Sequence, residues 1–210
     1  MGLNEQRARA TYLSIGEGKI AKSLKESCPG SVSYQTKKGE TRHVLEFDSV
    51  DGVLAGVEVR SSDFNGKHIN KAQWCFKLVS GGDVYIITTP YSSGYAKYIL
   101  NQLCNLEDFS QPIRIKPWKF QPTDSPKPKM GCTVYTGDAF NIKVEPRWAK
   151  GDEEMPAMEK MLYKGEEEWD DTKQNQFYEK MVAELITPNL SAVTTAGHAV
   201  AQELDDEVPF

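Results

Sequence analysis

Apolar and polar residues alternate with a period of two through most of the first 150 positions, the pattern of strands with one buried face. Positions 11–20 form a mixed stretch interrupted by Gly16 and Gly18, read as a strand with a bulge or sharp bend. Over 43–47, His43, Leu45 and Phe47 share a face. Asp51-Gly52 is a hairpin-turn signal, after which Val53, Ala55, Val57 and Val59 continue on one face with Glu58 and Arg60 opposite. Trp74, Phe76 and Leu78 alternate against Gln73, Cys75 and Lys77, which predicts core for the first set. Ser80, Gly81, Gly82 and Asp83 then turn the chain into a strand over 84–88. Polar turns are expected at 37–40 and from Asn65-Gly66.

The period then changes. Ser92 or Ser93 caps a helix over about 94–106, with Tyr95, Tyr98, Ile99, Gln102, Leu103 and Leu106 near one stripe. A strand over 113–118 follows Pro112. Next come a loop carrying Pro122, Pro126 and Pro128, and strands over 131–136 and 140–144 around Gly137-Asp138. Several antiparallel strands, one helix and two more strands suit a mainly β domain over 1–149. An OB-fold-like small antiparallel Greek-key barrel fits, with a strand or two in excess; another small α+β barrel or sandwich fits nearly as well.

Beyond Pro146 the character shifts. An acidic segment spans 150–187, and within it 172–186 has helical spacing, with Phe177, Met181, Val182, Leu185 and Ile186 in phase. Pro188 is expected to stop that helix, leaving 188–202 as a small, polar, flexible linker and 203–210 as an acidic tip. A helical stripe in an acidic extension favours packing against something: a homodimer partner, the chain itself, or nothing if it is only a spacer.

Charge follows the same division. Residues 1–149 carry 20 Lys/Arg against 15 Asp/Glu, whereas 150–210 carry 5 Lys against 15 Asp/Glu. A mildly basic body with a strongly acidic end is a pattern of nucleic-acid proteins with an interaction tail, and equally of two differently solvated regions. No run reaches the roughly 18 apolar residues of a membrane span, and the first ten positions have no apolar stretch, so a cytoplasmic protein is expected. Cys28, Cys75, Cys104 and Cys132 form no Cys-x-x-Cys pair, and His43, His68 and His198 form no ligand cluster. Buried reduced thiols, no metal and no cofactor are expected.

The last six residues are Asp205, Asp206, Glu207, Val208, Pro209 and Phe210. This ending resembles the C-terminal tip of single-stranded DNA-binding proteins, in which acidic residues precede Ile-Pro-Phe or a close variant. A divergent or phage-type member, with one OB fold and an acidic tail ending in an aromatic residue, is the better match. The resemblance implies a non-enzymatic protein that protects single-stranded DNA during replication, recombination or repair. It also implies that the tip recruits partners of polymerase, primase or helicase type. The chemistry is independent of the family. Phe210 offers a ring and a carboxylate together, which a pocket with an apolar floor and a basic rim captures. Pro209 limits the ordering cost of docking, and the three acids steer toward basic partners.

Sequence-tolerant binding of single strands needs cations for phosphates and rings on which bases stack. The best local candidate is the strand at 113–120. Alternation turns Ile113 and Ile115 inward and puts Arg114, Lys116, Trp118 and Phe120 on the other face. It leads into the Pro-rich loop with Lys127 and Lys129, the position of an OB loop that commonly contacts nucleic acid. Arg60, Lys77, Tyr91, Tyr135 and Lys143 are further candidates. Lys37, Lys38, Arg7 and Arg9 are phosphate contacts or ordinary surface, and Trp148 belongs to either the core or the face. Two other readings compete: an accessory protein that uses the tip without binding DNA, and a metal-dependent nuclease built on Asp48, Asp51, Asp63 and Asp83. Those aspartates sit mainly at turns, where Asp serves local hydrogen bonding.

On the resemblance, deleting 205–210 leaves affinity for single-stranded DNA equal or raised and abolishes partner recruitment, measurable by oligonucleotide titration and pull-down. A truncated chain that loses DNA binding contradicts it.

Overall fold

The computed structural model describes residues 10–36, 38–61, 63–64, 67–68, 72–163 and 166–190. The chain is mainly β. In order it forms β1 (Ala10–Gly16), β2 (Lys19–Leu24), β3 (Val32–Gln35), β4 (Thr41–Phe47), β5 (Val50–Arg60), β6 (Asp63–Phe64), β7 (Lys67–His68), β8 (Gln73–Ser80) and β9 (Asp83–Pro90). Helix α1 (Gly94–Leu103) follows, then β10 (Pro112–Phe120), β11 (Lys129–Thr136), β12 (Ile142–Lys143), β13 (Glu159–Tyr163), β14 (Glu166–Asp170) and α2 (Thr172–Met181). Ten strands make one mixed sheet in the order β12-β11-β10-β5-β8-β9-β1-β2-β4-β3, while β13-β14 and β6-β7 pair separately. The pairing is antiparallel except for β1 on β9, and it leaves the sheet open between β12 and β3. No helix among the described residues is long and apolar enough to cross a membrane.

The hairpin β8-β9 forms about Gly81-Gly82, with Trp74, Phe76 and Leu78 wholly inside. Ser93 caps α1 through its side chain, which accepts from the Tyr95 N–H. Elsewhere the sequence pattern misleads. Gly16 and Gly18 do not bend one strand: Glu17 and Gly18, both at positive φ, turn β1 into β2. Asp51-Gly52 is not a turn but the interior of β5, paired with Arg114 and Ile113 of β10. Gly52 is there because a Cβ would stand 2.9 Å from the Val79 carbonyl oxygen. A bulge between Leu54 and Gly56 then switches the alternation, so Leu54 and Val57 are buried while Val53 faces out. On β4 the buried residue is Val44, and Phe47 is exposed, because β4 lies one strand from the sheet's end.

One core joins sheet and helices. It takes Ile20, Leu54, Phe76, Leu78, Ile87, Ile113, Ile115 and Val134 from the sheet, Ile99, Leu100 and Leu103 from α1, and Trp148. It also takes Tyr178, Val182, Ile186 and Leu190. The helix expected inside the acidic 150–187 segment is therefore built into the domain rather than hung from it. Nor does Pro188 end it: helical backbone runs on to Leu190. The stretch Val182–Ile186 is a π turn, in which the Thr187 N–H donates to the Val182 carbonyl five residues back. The widened turn accommodates a proline, which has no N–H to give and crowds the carbonyl four residues earlier. The linker expected over 188–202 thus begins no earlier than 191, and 191–202 lies outside the described residues. Cys75, Cys104 and Cys132 are buried free thiols as expected, but Cys28 is exposed, in the turn after β2. Burial pushes the thiols of Cys75 and Cys104 up to about 11 and about 12 and raises that of Cys132 further.

Ile186→Ala is expected to cost about 2–5 kcal/mol in a single cooperative denaturant transition. Leu162→Ser, on β13 where Leu162 is 73% exposed, is expected to change stability by about 0.5 kcal/mol or less. Loss of only a local transition with Ile186→Ala would show that the C-terminal helix is a separate unit.

Candidate nucleic-acid interface

Strand β10 occupies the middle of a three-strand surface with β5 on one side and β11 on the other. Its inward set, Ile113, Ile115 and Pro117, is buried, so its outward set is fixed by alternation: Arg114, Lys116, Trp118 and Phe120. Residues directly opposed across a ladder share a face. Arg114 is opposed by Tyr135, which is in turn opposed by Lys143 on β12. Lys116 is opposed by Thr133, Trp118 by Gly131, and Phe120 by Lys129. The outer face of β10-β11-β12 therefore gathers Arg114, Lys116, Trp118, Phe120, Lys129, Tyr135 and Lys143, all selected from the sequence.

The rings form a short row. Trp118 and Phe120 lie 5.6 Å apart with planes tilted by 33°, and the edge of Tyr98 from α1 meets Trp118 at 5.6 Å. Gly131 makes this possible: a Cβ there would lie 2.5 Å from the indole and 2.9 Å from Tyr98, so the rings cover the strand where it has no side chain. Phe120 remains 52% exposed at the end of the row.

The cations divide into two sets. Arg114 donates twice to Asp51, at 2.6 and 2.5 Å, and its guanidinium lies 4.3 Å over the Phe140 ring; the Asp51 hydrogen bonds hold it above its ordinary pKa. Lys143 pairs with Glu145, Lys119 with Glu17 and Lys19 with Asp48. Among the described residues, no ion pair engages Lys116, Lys127 or Lys129. Uncommitted charge therefore accompanies Trp118 and Phe120 on this face, as it also stands at Lys22, Lys25, Lys38 and Lys150 elsewhere. The loop carrying Lys127 is ordered by its own polar groups. The Gln121 amide donates to the Ser125 carbonyl, and the Lys127 N–H donates to the Ser125 hydroxyl at 3.3 Å.

Other expected site residues lie elsewhere. Arg60 and Lys77 do point outward from β5 and β8, opposite Gln73 and Gly56, but Arg60 stands nine positions along β5 from Asp51, about 30 Å of strand. Its guanidinium also meets Glu58 at 2.6 Å. Tyr91 stacks on Trp74 at 5.9 Å and donates its hydroxyl to Glu179 at 2.7 Å; burial and that carboxylate push its phenol up. It fastens α2 to the sheet, a role invisible in sequence because the partners are 88 residues apart. Trp148 belongs to the core, with its indole N–H on Glu154. Lys38 falls in the turn between β3 and β4, while Arg7, Arg9, Lys37 and the tip residues Asp205, Asp206, Glu207, Val208, Pro209 and Phe210 lie outside the described residues.

The four aspartates do not converge. Asp48 and Asp51 are committed to Lys19 and Arg114, Asp83 starts β9, and the Asp63 side chain is outside the described set. Among the described residues, no group of three or more His, Cys, Asp or Glu side chains is placed to hold a metal ion.

No family model matches the chain, and no curated protein or solved structure matches it either.

Sequence reasoning missed a cleft of about 470 Å³ beside the ring row, between β10-β11, α1 and α2. Tyr98, Trp118, Thr133, Lys143, Trp148 and Lys150 line it. The only sequence signal for it was Tyr98, which lies one turn from Tyr95 on a stripe that is otherwise buried. The side of the cleft formed by α2 is held by Asp171, which accepts from Lys97 at 2.6 Å and from Ser92 at 3.0 Å. Gln102 of α1 closes the back. Its amide donates to the Cys132 carbonyl at 3.0 Å and accepts from the Val134 N–H at 2.8 Å, standing in for a strand along β11.

Burial alone would raise the Asp171 carboxyl, but Lys97, Ser92 and Asn175 outweigh it and hold it below its ordinary 3.8. A lowered folded value means that the carboxylate's contribution is complete above 3.8 and is lost as pH falls through the folded value. Asp171→Asn is therefore expected to lower the thermal midpoint at pH 7 and to flatten its fall below pH 4. Parallel acid profiles for the two proteins would remove Asp171 from the latch.

Proposed function

We propose that this chain is a sequence-indifferent single-stranded DNA-binding protein, not an enzyme, acting in the cytoplasm on DNA exposed during replication, recombination or repair. Its grip is the outer face of β10-β11-β12. The observation that carries the reading is the Trp118-Phe120 pair, half-buried at Trp118 and exposed at Phe120, set in register among Lys116, Lys129 and the Lys127 loop, cations that no ion pair engages among the described residues. Bases stack on the rings and phosphates follow the ammonium groups, a combination indifferent to sequence because every base has a π-face. Arg114 is neutralised by Asp51 and serves mainly to hold β5 to β10.

The fold is read as a divergent OB type. The helix between β9 and β10 and the Lys-bearing loop between the last long strands support that reading. The ending Asp205-Asp206-Glu207-Val208-Pro209-Phe210 supports a phage-type or divergent family member whose tip recruits polymerase, primase or helicase type partners.

The test is titration of fluorescent oligo-dT across a salt series. Tight, salt-sensitive binding without cleavage is expected. Trp118 packs on Tyr98 and Gly131, so Phe120 is the cleaner probe: Phe120→Ala is expected to weaken binding by about 1–3 kcal/mol with unchanged stability. Lys116→Ala is expected to reduce the salt slope by about 0.7. Absence of binding at low salt, or metal-dependent loss of the oligonucleotide, overturns the reading.

A further inference from the structure

The cleft beside the ring row is continuous with the proposed grip, because Trp118 and Lys143 belong to both. Its volume of about 470 Å³ falls within the roughly 300–1,000 Å³ of small-molecule sites. Its walls are aromatic: Tyr98 and Trp118 on one side, Trp148 and Tyr178 on the other. Most of its polar groups are already used. Both amides of Asn101 and Gln102 are engaged with backbone, Lys97 is held by Asp171, and Lys143 shares Glu145. Four are not. Among the described residues no hydrogen-bond partner engages the Tyr98 hydroxyl, the Thr133 hydroxyl, the Lys150 ammonium or the carbonyl oxygen of Gln174, whose amide N–H donates to the Pro156 carbonyl. One exposed cation, two hydroxyls, one amide oxygen and aromatic walls form a receptor for a flat heterocycle with polar edges attached to an anion.

We propose that this cleft is a base pocket. One nucleotide of a bound strand leaves the stack on Trp118 and Phe120, inserts its base between the aromatic walls, and sets its phosphate against Lys150. The inference rests on the single-strand reading above and adds to it a defined position at which the strand is bent away from the sheet. Apolar and charged features both point to this occupant. An aliphatic ligand has no use for the unengaged polar edge groups.

The test uses the full-length chain with Ala149→Trp. Ala149 is exposed and lines the mouth, so the indole fills the cleft without entering the core. Labelled oligo-dT and oligonucleotides carrying 5-iodouracil are the probes. The substitution is expected to weaken oligo-dT binding about 5- to 150-fold, the loss of one stacked base, with an unchanged thermal midpoint. It is also expected to abolish photocross-linking to Tyr98 while cross-linking to Phe120 persists. Lys150→Ala, a surface change, is expected to weaken binding in the same direction. Equal affinity with cross-links confined to Trp118 and Phe120 in both proteins overturns the pocket and leaves the ring row standing. Tighter binding by Ala149→Trp also overturns it, assigning the cleft to a competing segment of the chain such as 203–210. A wild-type chain that binds no oligonucleotide at low salt overturns the pocket together with the reading beneath it.

Discussion

The burial of Ile113 and Ile115 is the constraint on which the surface depends. Both are fully enclosed, and strand geometry leaves no choice about their neighbours: with these two inside, Arg114, Lys116, Trp118 and Phe120 are outside. A slip of one residue would bury the cations Arg114 and Lys116 together with the two rings while exposing the isoleucines. The ladders to β5 and β11 lock the register from both sides, with Arg114 on Asp51 as a charged pin at one end and the Trp118 ring over Gly131 at the other.

The helices serve the same surface indirectly. Helix α1 fills the core through Ile99, Leu100 and Leu103 and presents Tyr98 to Trp118 from its flank. Helix α2 is fastened at both ends, by its N-cap Asp171 on Lys97 and Ser92 and by Glu179 of its last turn on Tyr91, and it carries Tyr178 against Trp148. Acidic residues in this region thus do structural work as well as carrying net charge. A free acidic tail is not the picture for 172–190, where Val182, Ile186 and Leu190 are buried.

What could be read from the sequence was local. The alternation of β10, the Gly-Gly hairpin of β8-β9 and the Ser93 cap all depend on neighbours within a few positions, and each formed as expected. What could not be read depended on distant partners. Gly52 looks like a turn residue, yet its function is set by a carbonyl 27 positions away on β8. Tyr91 looks like a surface ring until Glu179 and Trp74 are placed beside it. Pro188 looks like a helix stop because only a π turn, which has no signature in composition, removes the conflict. The cleft needed three segments to meet and had no motif of its own.

The side chain of Gln102 has a consequence for behaviour in solution. By occupying the hydrogen-bonding groups of Cys132 and Val134, it closes the part of β11 that β12 leaves uncovered. The opposite end of the sheet has no such plug in the described residues: β3 is four residues long, every one exposed, with Val32 and Tyr34 turned to solvent. Unsatisfied backbone at a strand margin invites another chain to add itself. Concentration-dependent self-association of this protein would accordingly begin at β3, far along the sheet order from the outer face of β10-β11-β12.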